Sequence, residues 1–189
     1  MKKLCVFLAV LLFLGATFAA SQPVPGKKFE LGTSMNFFSL KWENADGYSD
    51  SWTVLNVPIR FGWYVWKGLA IEPEVILTIP IGEDMGDMAY FAGVNLAYNF
   101  KTKGKLVPFI GGSAGFGNGI PYMGLVEGGS GEKVTAFGGL AGVKYLLGNI
   151  AAIRAEYRLL RYDWKDDFDP IYDETGTIHQ ILIGLSVFF

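Results

Sequence analysis

The chain has 189 residues, the length of a single domain, and 16 basic against 18 acidic residues give it a formal net charge of −2. It is 51% apolar and 15% aromatic, carries 25 glycines and has a mean hydropathy of +0.30, a balance that does not suit a domain solvated by water alone. The near-even charge, with no strong basic patch, phosphate loop or zinc-ligand spacing, argues against a nucleic-acid partner and against a bound nucleotide or structural zinc.

Residues 1–20 read as a signal peptide. Lys2 and Lys3 precede an apolar run from Cys5 to Leu14, and the small residues Gly15, Ala16, Ala19 and Ala20 follow. Cleavage after Ala19 places Thr17 and Ala19 where the peptidase selects small side chains; Ala20 is the second site, with bulky Phe18 two residues before it. An apolar run of about ten residues is too short to cross the roughly 30 Å hydrocarbon core as a helix. Cys5, the single cysteine, leaves with the signal, so neither a disulfide nor a lipid anchor is expected in the mature domain, residues 21–189. No later stretch approaches eighteen uninterrupted apolar residues, so a membrane-embedded mature chain has to be a barrel.

From Phe29 the sequence alternates with a period of two. The first segment sets Phe29, Leu31, Met35 and Phe37 against Glu30, Gly32, Ser34 and Asn36, and the second sets Leu55, Val57, Ile59, Phe61 and Trp63 against Asn56, Pro58, Arg60 and Gly62. The third opposes Leu69, Ile71, Val75, Leu77 and Ile79 to Glu72, Glu74 and Thr78; the fourth opposes Tyr90, Val94, Leu96 and Tyr98 to Gly93, Asn95 and Asn99. The fifth, Leu106 to Gly117, is too rich in glycine for its faces to be assigned. The sixth opposes Phe137, Val143 and Tyr145 to Gly138, Gly142 and Lys144. The seventh opposes Ile153, Ala155, Tyr157 and Leu159 to Arg154, Glu156 and Arg158, and the last opposes Ile181, Ile183, Leu185, Val187 and Phe189 to Gln180, Gly184 and Ser186.

Segments of about ten residues are what a tilted strand needs to cross a bilayer. Short connections at Trp66–Gly68, Lys101–Lys105 and Gly148–Asn149 alternate with long ones at Glu43–Ser51, Pro80–Met88, Asn118–Glu132 and Asp163–Gly176. Short periplasmic turns and longer extracellular loops are the outer-membrane arrangement. Pro58, Pro73 and Pro108 fall inside the proposed strands and count against uninterrupted ladders, because proline has no N–H to donate.

Charge decides which face is outside. The polar faces hold only Glu30, Arg60, Glu72, Glu74, Lys144, Arg154, Glu156 and Arg158, spaced by small residues. That is too little to solubilise a barrel exterior, whose surface is usually about a quarter to a third charged. Four carboxylates and four bases also balance, as a buried network requires, so these eight are expected to fill the lumen. The other charges sort by end. Lys27, Lys28, Lys67, Lys101, Lys103 and Lys105 lie on the leader and turn side, while carboxylates from Glu43 and Asp46 to Asp173 and Glu174 crowd the long loops. Aromatic residues near the strand ends suggest two interfacial girdles, Trp63, Tyr64, Trp66, Tyr98, Phe100, Phe109, Tyr145 and Phe189 on the turn side and Trp42, Trp52, Tyr90, Tyr162 and Trp164 on the loop side.

The chain ends on Gly184, Val187 and Phe189, which resembles the carboxy-terminal signal read by the barrel assembly machinery; Leu182 departs from it where a polar residue is preferred. With nothing after Phe189, no peptidoglycan-binding tether is expected. The whole mature pattern resembles the small outer-membrane barrels of the OmpA/OmpX type. That resemblance implies an all-β, eight-stranded antiparallel transmembrane barrel with a side-chain-filled lumen, surrounded by outer-membrane lipids and lipopolysaccharide in a Gram-negative-type envelope.

Barrels of this size include lipid A deacylases and palmitoyltransferases, families that use a histidine with a serine. The single histidine, His179, lies on the lipid-facing parity, and two residues on, where the deacylase pattern has serine, stands Ile181. Without that nucleophile no acyl-enzyme chemistry is proposed. Asp163, Asp166, Asp167, Asp169, Asp173 and Glu174 offer hard oxygen ligands, yet they lack EF-hand spacing and its glycine and read as a solvated acidic loop. The expectation is therefore a non-enzymatic barrel without cofactor, metal or catalytic residues, whose loops display acidic surface to an unknown extracellular ligand. A lipid A-modifying enzyme and a narrow solute channel are the alternatives.

Overall fold

Alternation commits each segment to an extended backbone with two unlike faces, and in the computed structural model all eight segments are strands. The described residues are 23–43, 49–81, 88–119, 133–165 and 174–189; the signal segment 1–20 lies outside them, as does part of each long connection. The strands are β1 (Phe29–Glu43), β2 (Ser49–Trp66), β3 (Leu69–Pro80), β4 (Ala89–Asn99), β5 (Leu106–Gly117), β6 (Lys133–Leu146), β7 (Ala151–Lys165) and β8 (Glu174–Phe188). Each pairs antiparallel with its neighbours in the chain, and β1 pairs with β8, which closes the barrel. Closure leaves no full-length edge to recruit another chain.

Parity settles the faces. Leu31, Met35, Ile59, Phe61, Trp63, Leu96, Ile153, Ile181, Ile183 and Leu185 are all exposed on the outer wall, while Glu30, Arg60, Glu72, Glu74, Lys144, Arg154, Glu156 and Arg158 are buried inside. So extensive an apolar exterior has no stable existence in water and is matched by acyl chains. β5 also resolves: Leu106, Ile110, Ala114 and Phe116 face out, and Val107 and Phe109 face in.

Pro58 and Pro73 sit where ladders break, and Pro108 at a ladder's end. Between β1 and β2 the register lapses from Thr33↔Ile59 to Asn36↔Asn56, around Pro58, whose carbonyl accepts from Thr33 Oγ1 at 3.1 Å. Between β2 and β3 it lapses from Arg60↔Glu74 to Trp63↔Ile71, around Pro73. Pro108 lies just past the last β4–β5 pair, Asn99↔Phe109. Pro58 and Pro73 thus each cost a local gap, Pro108 costs none because its pairing with Val143 is unbroken, and every strand stays intact.

Strands run further into the long connections than the alternation suggests. Glu43 belongs to β1, Ser49–Ser51 to β2, Asp163–Lys165 to β7 and Glu174–Gly176 to β8, so the outer loops are shorter than expected. At the other end, Lys67 and Gly68 adopt φ of 30° and 92°, the left-handed geometry of a tight hairpin turn. The β1–β8 seam is the short one: its ladder runs only from Glu30↔Phe188 to Met35↔Ile183, whereas β7–β8 runs from Ala151↔Val187 to Trp164↔Glu174. Just above the seam, Asn36 Nδ2 donates to the Ile181 carbonyl at 3.2 Å.

Candidate functional site

The lumen's bulky charged side chains have room because the register sets glycine opposite most of them. Glu30 faces Gly62, Arg60 faces Gly32, Glu74 faces Gly93, Glu156 faces Gly142 and Arg154 faces Gly184. A Cβ on Gly32 would lie 3.1 Å from Arg60 Cγ, and one on Gly62 would lie 3.2 Å from Glu30 Cβ.

All eight expected lumen charges are brought together. Arg154 grips Glu72 with both Nη atoms, each donating at 3.0 Å, while its Nε donates to Glu156 at 2.7 Å. Arg158 makes the matching fork with Glu74 at 2.5 and 2.7 Å and also donates to Glu156. Arg60 completes the ring around Glu156 at 2.9 Å, with Glu74 3.5 Å from its Nε and Ser34 Oγ accepting at 2.6 Å. Glu156 is thus held by three guanidinium groups. Towards the turns, Lys144 Nζ donates to Glu30 at 2.6 Å and to Tyr64 Oη at 2.9 Å; Tyr64 in turn donates to Glu30. Lys144 and Arg154 also lie over the Phe109 ring, 5.4 and 4.3 Å from its centroid, where the π face meets the cations. Bidentate geometry and charge balance are the conditions under which so many buried ions are tolerated.

Apolar side chains stop both ends of this network. On the loop side, Ile76, Phe91, Val134, Leu160, Tyr162 and Leu182 belong to one buried cluster, with Trp164 packed on it. On the turn side, Val24, Tyr64, Ala70, Ala152 and Phe188 form another, so the leader tucks Val24 under the barrel; Lys28 holds it there by accepting from the Tyr64 N–H at 2.8 Å. These caps, together with Tyr64, Ser34 and Phe109, are lumen residues that attention to charge alone overlooks.

Four aromatic assignments need correction. Tyr64, Phe109 and Tyr162 are buried in the lumen, and Trp164 packs against its outer cap, so none of them belongs to a girdle. Nearness to a strand end suggested the interface, but parity governs. The parity that turns Trp63 outward turns Tyr64 inward. Trp63, Trp66, Tyr90, Tyr145 and Phe189 do stand exposed on the outer wall; the side chains of Trp42 and Trp52 lie outside the described residues.

His179 is exposed on the outer wall, its Nδ1 2.6 Å from the Tyr157 hydroxyl, with Ile181 the next outward residue of β8. The possible cation ligands Asp166, Asp167, Asp169 and Asp173 lie outside the described residues, and no metal-binding cluster occurs among the described ones.

No family model matches the chain, and no curated protein does. Among solved structures, Neisserial surface protein A (NspA) aligns over 85% of this chain and 96% of its own, with 13% identity and a TM-score of 0.54. The chain has the fold of the small outer-membrane barrels. The outer membrane protein OprG from Pseudomonas aeruginosa aligns over 86% of this chain and 97% of its own, with 16% identity and a TM-score of 0.41.

Within that fold the terminal residues of the expected assembly signal occupy the closing seam. A Cβ on Gly184 would fall 2.1 Å from the Thr33 carbonyl oxygen, so close approach of β1 explains this glycine on steric grounds alone. Val187 faces outward. Phe189 exchanges two 3.0 Å backbone hydrogen bonds with Phe29, and its ring lies tilted against those of Phe29 and Phe61, at 5.9 and 6.3 Å between centroids.

Proposed function

We propose that this chain is an exported outer-membrane scaffold, non-enzymatic and without cofactor, that displays acidic loops at the cell surface for envelope integrity or for contact with an extracellular partner. The observation that carries the reading is the lumen: a charge-balanced network between two apolar caps leaves side chains where a conduit needs water. Against a lipid A-modifying enzyme stands Ile181 in the serine's place beside His179. In this reading Gly184, Val187 and Phe189 also address the barrel assembly machinery, and outer-membrane lipids with lipopolysaccharide surround the wall.

Cysteine labelling tests the orientation, since the single native cysteine, Cys5, lies in the signal segment 1–20. Lys165→Cys, at the loop end of β7, is expected to react with a membrane-impermeant maleimide on intact cells. Asn149→Cys, in the turn between β6 and β7, is expected to react only after the outer membrane is opened. Labelling of Asn149→Cys on intact cells with Lys165→Cys silent would overturn the proposed orientation.

A further inference from the structure

The outer wall breaks its apolar rule near the loop end of β6 and β7. Arg161, Lys133 and Lys165 are exposed there on the outward parity, and Lys133 and Lys165 are cross-strand partners. Among the described residues Arg161 makes no ion pair, and the carboxylate on this face is Asp163, half-buried between Arg161 and Lys165. From Ile153 to Arg161 the wall rises about 20 Å along the barrel axis, taking roughly 3.3 Å per residue and a tilt of about 40°. The apolar band of such barrels is about 25 Å tall, so Arg161 stands at its upper edge, where acyl chains give way to headgroups.

Beside it the wall is hollow. Gly112 and Ala114, on the outward side of β5, lower the surface into an apolar groove of about 350 Å³. Val94 and Leu96 form one side, Phe137 the other, and Gly112 and Ala114 the floor. A single cross-strand row, Val94↔Ala114↔Phe137↔Arg161↔Thr177, joins groove to guanidinium. An apolar trough at acyl-chain depth with cations at its headgroup end is complementary to an anionic lipid.

We propose that this face binds a phosphorylated, multiply acylated glycolipid of the lipid A kind, one acyl chain lying in the groove, one phosphate on Arg161 and the other on Lys165. Arg161 and Lys165 are about 13 Å apart along the strand at roughly 3.3 Å per residue, too far for one phosphate to touch both and suited to a headgroup phosphorylated at each end. The assignment rests on the outer-membrane reading with the loop end outward.

Native mass spectrometry of the full barrel in detergent, titrated with bisphosphorylated lipid A, tests it. The unaltered protein is expected to retain one lipid A. Arg161→Gln, which removes the charge, and Ala114→Leu, which fills the groove from outside, should each weaken retention about tenfold. Arg161→Lys should keep most of it, and dephosphorylated lipid A should bind weakly and be indifferent to Arg161→Gln. Unchanged retention in both Arg161→Gln and Ala114→Leu would overturn the site, and displacement of lipid A by an equal concentration of phosphatidylglycerol would overturn the choice of lipid. A heat-modifiable gel band separates the two levels. Variants that keep the band yet lose nothing refute the site, whereas an unaltered protein without the band refutes the membrane-barrel reading beneath it.

Discussion

Replacing Arg154 by alanine is expected to destabilise the barrel by about 3–5 kcal/mol, measured by denaturant unfolding in lipid vesicles. Arg154 donates to both oxygens of Glu72 and to Glu156, lies 3.7 Å from Glu30 and covers the Phe109 ring, so its removal strips a counter-charge from three buried carboxylates at once. Water cannot readily replace it between the two apolar caps. Most of the cost is that of leaving carboxylates unpaired rather than the worth of the pair itself. The double variant Arg154→Ala, Glu72→Ala should therefore lose less than the sum of its singles. A loss below about 1 kcal/mol for Arg154→Ala would mean that water reaches the network, as at a solvated ion pair.

Gly184→Ala is expected to prevent closure outright. The new methyl carbon would meet the Thr33 carbonyl oxygen at 2.1 Å and the Ser34 Cα at 2.7 Å, both backbone atoms that can yield only by separating β1 from β8. That seam has few pairs to spare, ending at Met35↔Ile183. The heat-modifiable band should accordingly be lost when the purified variant is refolded into pure lipid vesicles, with no assembly proteins present. Deleting Phe189 removes two backbone hydrogen bonds and ring contacts, so refolding into vesicles should survive with modest loss while insertion in cells falls much further than for Phe37→Ala. If Gly184→Ala refolds normally in vesicles and fails only in cells, the glycine is read as a signal and the steric explanation is wrong.

The barrel itself was legible because a period of two cannot be mistaken over so many segments, and because the scarcity of charge on the polar faces picks out the inside. Which carboxylate meets which base was not legible. That depends on register across the sheet, and the glycines opposite Arg60, Glu74 and Glu156 acquire meaning only once strands are aligned. Tyr64 and Phe109 were drawn to the interface by their ring chemistry, although their parity places them inside. The apolar alternation of β7 stops at Leu159, so the strand's continuation to Lys165 and the outward stance of Arg161 emerged only from pairing with β6 and β8. The loop caps escaped notice for a related reason: Ile76, Leu160 and Leu182 are apolar residues on faces identified by their polar members.

Balanced charges fill the lumen, and apolar side chains seal it at both ends. Planar-bilayer recording of the unaltered protein tests it most directly. No steady conductance is expected, because Arg60, Lys144, Arg154 and Arg158 with their carboxylates occupy the cross-section that ions would need, while Phe91 and Phe188 help close the space above and below. Stable, open single-channel currents from the unaltered barrel would contradict it and put a solute conduit in place of the scaffold.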